Sequence, residues 1–86
     1  LVYVNYYTLY LAYYNRMTLG ENIKNIRVAG GMTQKEFAEK MQTTQQRVSE
    51  WELDKVEPSL YNVIRMLKVL GVTFDELTEN LEQTKR

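Results

Sequence analysis

Residues 43–52 read TTQQRVSEWE, and three of them, Gln45, Gln46 and Arg47, carry side chains suited to reading a nucleic-acid duplex. A glutamine amide pairs in bidentate fashion with the major-groove edge of adenine, and a guanidinium serves guanine or phosphate. Placed on a helix at about 100° per residue, Gln45, Gln46, Ser49 and Glu50 share one side, Val48 and Trp51 share the other, and Arg47 lies on the flank. A helix of about two turns does not hold by itself. Val48 and Trp51 must therefore anchor it, which leaves the amides outward. Polar outward faces are the default of any amphipathic helix, so the neighbouring elements have to decide between a solvated face and a reading one.

Those elements are marked by their own starts. Thr18 to Glu21, Thr33 to Glu36 and Thr73 to Glu76 each read Thr-x-x-Glu, the reciprocal capping box that satisfies orphan amides at a helix N-terminus. Leu19, Ile23, Ile26 and Ala29 repeat at helical spacing and stop at Gly30-Gly31, where a left-handed residue can end a helix. Thr33 opens a second helix with Phe37, Ala38 and Met41 inward. Thr44 caps a third, which closes near Glu52 and runs into a loop, because Pro58 disfavours helical geometry in the residue before it. Ser59 caps a fourth with Leu60, Val63, Ile64, Leu67 and Leu70 as its apolar face, ending at Gly71; the last, from Thr73, buries Phe74, Leu77 and Leu81. The result is an all-α fold, a compact five-helix bundle. Only Gln42 and Thr43 separate Met41 from Thr44, a connection that forces helices two and three into the steep crossing of a helix-turn-helix. In that arrangement the first residues of the second helix reach base edges.

Composition narrows the alternatives. The 86 residues suffice for one small domain, and they include no Cys and no His, which removes thiolate nucleophiles, imidazole bases, disulfides and nearly all transition-metal sites. No nucleophile and base are paired, Gly30-Gly31 lacks the Lys-Ser/Thr of a phosphate loop, and Glu76, Glu79 and Glu82 form a solvated acidic face with no aligned partner. The expectation is therefore not an enzyme, with no cofactor and no metal. No apolar run approaches the roughly 20 residues needed to span a bilayer, so a cytoplasmic location without membrane contact is expected. The net charge of zero divides as +1 over residues 1–17, +1 over 18–72 and −2 over 73–86. Such a balance gives no basic footprint and predicts modest non-specific affinity for nucleic acid.

The run MTQKEFAEKMQTTQQRVSEWELDKVEPSLYNVIRMLKVLGVTFDEL resembles the Cro and phage-repressor (Xre-like) helix-turn-helix family over about residues 19–81. The likeness rests on TQKEFA, TTQQRVS, the WE pair, EPS before helix four and LGVTFDEL at the end; TTQQ is similar to the recognition helix of lambdoid phage repressors. The resemblance implies a lambda-repressor-like DNA-binding domain over 18–81, and a sequence-specific transcriptional regulator that binds an inverted repeat of double-stranded DNA as a homodimer. Helix five and the segment before it would supply the dimer contact. Gln45 and Gln46 would contact base edges, with Ser49 and Glu50 modulating specificity; Glu50 either accepts from cytosine or faces away from phosphate. Gln34, Thr44, Arg47 and Lys55 would hold phosphates, Arg47 alternatively a flanking guanine. Arg27 and Glu52 would pair as a structural element beside Trp51, Val48 and Ala38. Three departures stand out. Gln42 replaces the usual turn glycine, Leu53-Asp54 replaces the common Asn-Gly, which leaves Lys55 alone for the loop's phosphate contact, and the charge is neutral.

Six of the seven tyrosines lie in the first 14 residues, and no charge precedes Arg16. Tyr3, Tyr7, Tyr10, Tyr14 and Met17 are spaced as one helical stripe, yet Val2, Val4 and Tyr6 alternate as in a strand. Residues 1–17 read as an extension: a translated leader before a start at Met17, a packing or dimer element, or a surface that stacks on bases. Residues 82–86 form a polar tail. The rival to a regulator is an interaction module of antitoxin type, whose main partner is a toxin or other protein and whose DNA binding is secondary; the neutral charge and aromatic head suit it.

Overall fold

Each helix begins at a threonine or serine whose hydroxyl accepts the backbone N–H three residues on, so local side-chain chemistry sets all the starts. The computed structural model describes residues 17–81. It has α1 over Leu19–Ala29, α2 over Gln34–Met41, α3 over Gln45–Glu52, α4 over Leu60–Leu70 and α5 over Phe74–Leu77. The three Thr-x-x-Glu boxes are closed in both directions, at Thr18, Thr33 and Thr73. In the second of them the backbone N–H of Thr33, and then its hydroxyl, hold the Glu36 carboxyl below the ordinary carboxylate range. The stabilisation this implies is present above that range and is lost as pH falls through the lowered Glu36 pKa. The readings of the tyrosine-rich head, the polar tail and Glu82 fall outside the described residues.

The core consists of Ile23 from α1, Phe37, Ala38 and Met41 from α2, Val48 and Trp51 from α3, Met66 from α4 and Leu77 from α5. Helix α3 packs on both α1 and α2, α4 packs on α2, and α5 packs on α1. Among the described residues no buried side-chain polar atom lacks a partner. Three expectations are corrected. On α4 the fully buried residue is Met66, while Leu60 is 69% and Ile64 44% exposed. Leu60-Val63-Ile64-Leu67 and Val63-Met66-Leu67-Leu70 are the same 3-4 pattern displaced by one turn, so periodicity does not choose between them; contact with α2 does. Phe74 is 54% exposed, because α5 is a single turn that turns only Leu77 inward. Ala29, the last residue of α1, is exposed. Leu81 lies beyond α5, half-buried, where it bridges to Met17, whose N–H donates to the Asn80 carbonyl at 2.9 Å.

Two contacts fix how α1 meets the rest. The buried Asn22 amide donates to the carbonyls of Leu77 at 2.8 Å and Glu79 at 2.9 Å, fastening α5 to α1. Gly20 lets α1 approach the end of α3 closely: a Cβ there would come within 2.4 Å of the Trp51 carbonyl oxygen and 2.6 Å of that of Glu52. Neither neighbour is a movable side chain. Gly20→Ala is therefore expected to cost about 1–3 kcal/mol, read by urea unfolding; unchanged stability would show that α1 can withdraw from α3 without loss.

The α2–α3 turn takes the left-handed conformation at Gln42, φ 58° and ψ 43°, without the glycine usual there. Its N–H closes on the end of α2, and its side-chain oxygen accepts from Arg65 Nη1 at 2.7 Å. Left-handed backbone costs a non-glycine residue about 1 kcal/mol. Gln42→Gly is accordingly expected to raise stability by about 1 kcal/mol in chemical denaturation, and a decrease would mean that the Arg65 contact outweighs the backbone term.

Candidate nucleic-acid interface

The outward side of α3 is built by its own start. The Thr44 hydroxyl accepts the Arg47 N–H at 3.1 Å, which ends the turn and begins the helix with Gln45 and Gln46 in its first positions. Val48 and Trp51 are 0% and 1% exposed, so the helix is pinned from behind and its rotation is fixed. Gln45, Gln46 and Arg47 are exposed, as is Thr44. Ser49 and Glu50, expected on the same outward side, are half-buried. Glu50 leans on Arg47, with 3.6 Å between Oε1 and Nε, a partly exposed pair of small energetic value that nonetheless sets an acid beside the amides.

Behind this face lies a buried charge network. Arg27 and Glu52 are 7% and 6% exposed. Arg27 Nε donates to Glu52 Oε2 at 2.5 Å, Nη2 donates to Oε1 at 3.0 Å, and Nη1 donates to the Met32 carbonyl at 2.8 Å. A buried carboxylate is tolerable only when so engaged. Gln34, the first residue of α2, donates its side-chain amide to Glu52 Oε1 at 3.0 Å. Of the residues read as phosphate contacts, Gln34 is thus the one oriented by the core pair, and it sits half-buried at the start of α2. That bond spans 18 positions, and no local sequence signal marks it.

The loop after α3 departs most from expectation. Asp54 is left-handed at φ 59°, and its carboxylate accepts the Thr18 hydroxyl and the Gly20 N–H, the latter at 2.9 Å. It serves as a second acceptor at the N-terminus of α1, where a carboxylate is favoured by the helix dipole. Leu53 is 61% exposed. Lys55 is exposed with its N–H donated to the Glu50 carbonyl at 2.9 Å, which holds it directly after α3. Among the described residues no cluster of three or more His, Cys, Asp or Glu is arranged to hold a metal.

The structure therefore brings Gln45, Gln46, Arg47, Ser49 and Glu50 onto one helix, with Gln34 and Lys55 both tied to its C-terminal turn. Residues 23–77, more than half of the chain, match the helix-turn-helix family. The chain belongs to that family. It is 31% identical over 70 residues to the HTH-type transcriptional regulator ImmR of Bacillus subtilis (strain 168), a match covering 81% of this chain and 55% of that protein. It is 33% identical over 58 residues to the SPbeta prophage-derived uncharacterized HTH-type transcriptional regulator YonR of the same organism, covering 67% of this chain and 54% of that one. The chain spans about half the length of these curated relatives. Two solved structures of the clp gene regulator ClgR from Corynebacterium glutamicum share the helix-turn-helix fold. One superposes with a TM-score of 0.67 at 28% identity, over 72% of this chain and 81% of that chain; the other gives 0.66 at 25% identity, over 69% and 63%.

Proposed function

We propose that this chain is a sequence-specific double-stranded DNA-binding transcriptional regulator that sets α3 in the major groove of an inverted-repeat operator, acting as a homodimer in the cytoplasm by binding rather than catalysis. The observation that carries the reading is the pairing of Gln45 and Gln46, exposed at the start of the second helix of a helix-turn-helix, with Val48 and Trp51 pinned behind them. Two adjacent amides there suit adenine edges, and Arg47 suits guanine or phosphate. Gln34, Thr44 and Lys55 flank the helix as phosphate contacts, and Ser49 and Glu50 tune specificity. The names of the relatives support a regulatory role.

Gln45→Ala is expected to weaken binding to a selected operator by about 1–3 kcal/mol while leaving affinity for a scrambled duplex nearly unchanged. Equal losses on both duplexes would reject base reading by Gln45. The dimer is supported by exposed apolar side chains on α4 and α5: Leu60, Tyr61 at 85%, Ile64 and Phe74. Sedimentation of the free protein and of its operator complex measures the stoichiometry. One protein per operator at saturation would contradict the dimeric reading.

A further inference from the structure

An open groove of about 530 Å³ brings Lys24 and Asn25 of α1 together with Gln34 at the start of α2 and Ser49 of α3. The last two belong to the proposed DNA-reading face, and Lys24 and Asn25 are both exposed, so α1 borders the same surface. Three carboxylates also line the groove: Glu21, Glu52 and Asp54. By number alone they would repel an anion. Each is engaged by an internal donor, but only Glu52 is neutralised, by Arg27, while Glu21 and Asp54 keep their charge. Glu21 Oε1 accepts the Thr18 N–H at 2.9 Å in the capping box. Glu52 is held by Arg27 and Gln34. Asp54 accepts from Thr18 and Gly20. Glu21 and Asp54 also lie at the positive end of α1, which offsets part of their charge. Among the described residues the ion pairs engage Arg27 and Arg47, not Lys24. The lysine stem is long and flexible, and its ammonium is a point charge suited to a phosphate oxygen.

We infer that Lys24 grips a phosphate of the operator, so that the groove between α1 and α3 carries the sugar-phosphate backbone of one strand, with Asn25 as a neutral second donor. The inference rests on the reading of α3 as a DNA-reading helix, and it extends the interface onto α1. In a chain of zero net charge, one well-placed cation matters more than in a basic domain, because phosphate neutralisation supplies most non-specific affinity.

The test uses the full chain and duplexes of about 20 base pairs, two helical turns, one carrying a selected operator and one scrambled. Fluorescence anisotropy over a series of salt concentrations gives the slope of log K against log salt. Lys24→Gln is expected to reduce that slope by about 1 on both duplexes and to weaken both roughly 5–10-fold near 0.1 M salt. Lys24→Arg should retain the slope, as should Lys68→Gln, a charge loss in the last turn of α4. An unchanged slope in Lys24→Gln, with a measurable slope in the parent, would overturn the α1 contact and leave the reading of α3 standing. A parent protein that retains neither duplex at any salt concentration would overturn both.

Discussion

Trp51→Ala is expected to lower unfolding stability by about 3–5 kcal/mol, the range for removing a large buried aromatic. Trp51 is the largest of the buried side chains and is 1% exposed. It belongs to α3, an eight-residue helix too short to persist without tertiary contacts. Its carbonyl also lies where α1 approaches at Gly20, so surrounding backbone cannot collapse freely into the vacated space. A domain of this size has about 5–15 kcal/mol in total. The variant should thus be near the edge of folding, with duplex binding lost in proportion to the unfolded fraction. Denaturant unfolding followed by circular dichroism measures the loss. Melting that matches the parent would show that α3 is held by contacts other than this ring.

Glu52→Ala is expected to cost a similar amount, about 3–5 kcal/mol, for a different reason. It leaves the guanidinium of Arg27, itself 7% exposed, without its acid partner, and an unpaired buried charge is the costly state. It also frees the Gln34 amide, so operator affinity should fall further than the unfolded fraction explains. Replacing both partners together, Arg27→Met with Glu52→Leu, removes the charges as a pair and is expected to recover most of the stability. Gln34 would still lack its acceptor. The double variant should therefore fold well and bind DNA weakly, which separates the structural role of the pair from the orientation of Gln34. A double variant as unstable as Glu52→Ala would place the stabilisation in side-chain packing rather than in charge pairing.

The parts legible in the sequence are those whose physics is local. Thr18, Thr33 and Thr73 announce three helix starts because a capping box is complete within four residues. The polar and apolar sides of α3 follow from a wheel, since Val48 and Trp51 are the only large apolar residues available to anchor it. The family likeness added Arg27 and Glu52, 25 positions apart, a pairing no local pattern implies. What escaped sequence reasoning is long-range or ambiguous. Asp54 was read as a loop residue, yet its carboxylate closes the start of α1 across 34 positions. No local pattern marks Asn22, yet its bond to the Leu77 carbonyl places it in the core. On α4 two displaced apolar stripes were equally regular, and only packing selects Met66 over Ile64. Within the candidate site, Gln45, Gln46 and Arg47 are exposed as the wheel requires, whereas the attachment of Gln34 to Glu52 is visible only in three dimensions.

The measurement that bears most directly on the central claim is selection from a random pool of duplexes by the purified full chain, with sequencing of what is retained. The account predicts an enriched inverted repeat whose half-sites contain adenine, with guanine at a flanking position, spaced about one helical turn apart. It also predicts that Gln45→Ala relaxes the preference for adenine within each half-site. Retention without enrichment, or no retention at all, would contradict sequence reading by α3 and turn attention to a protein partner for the same face.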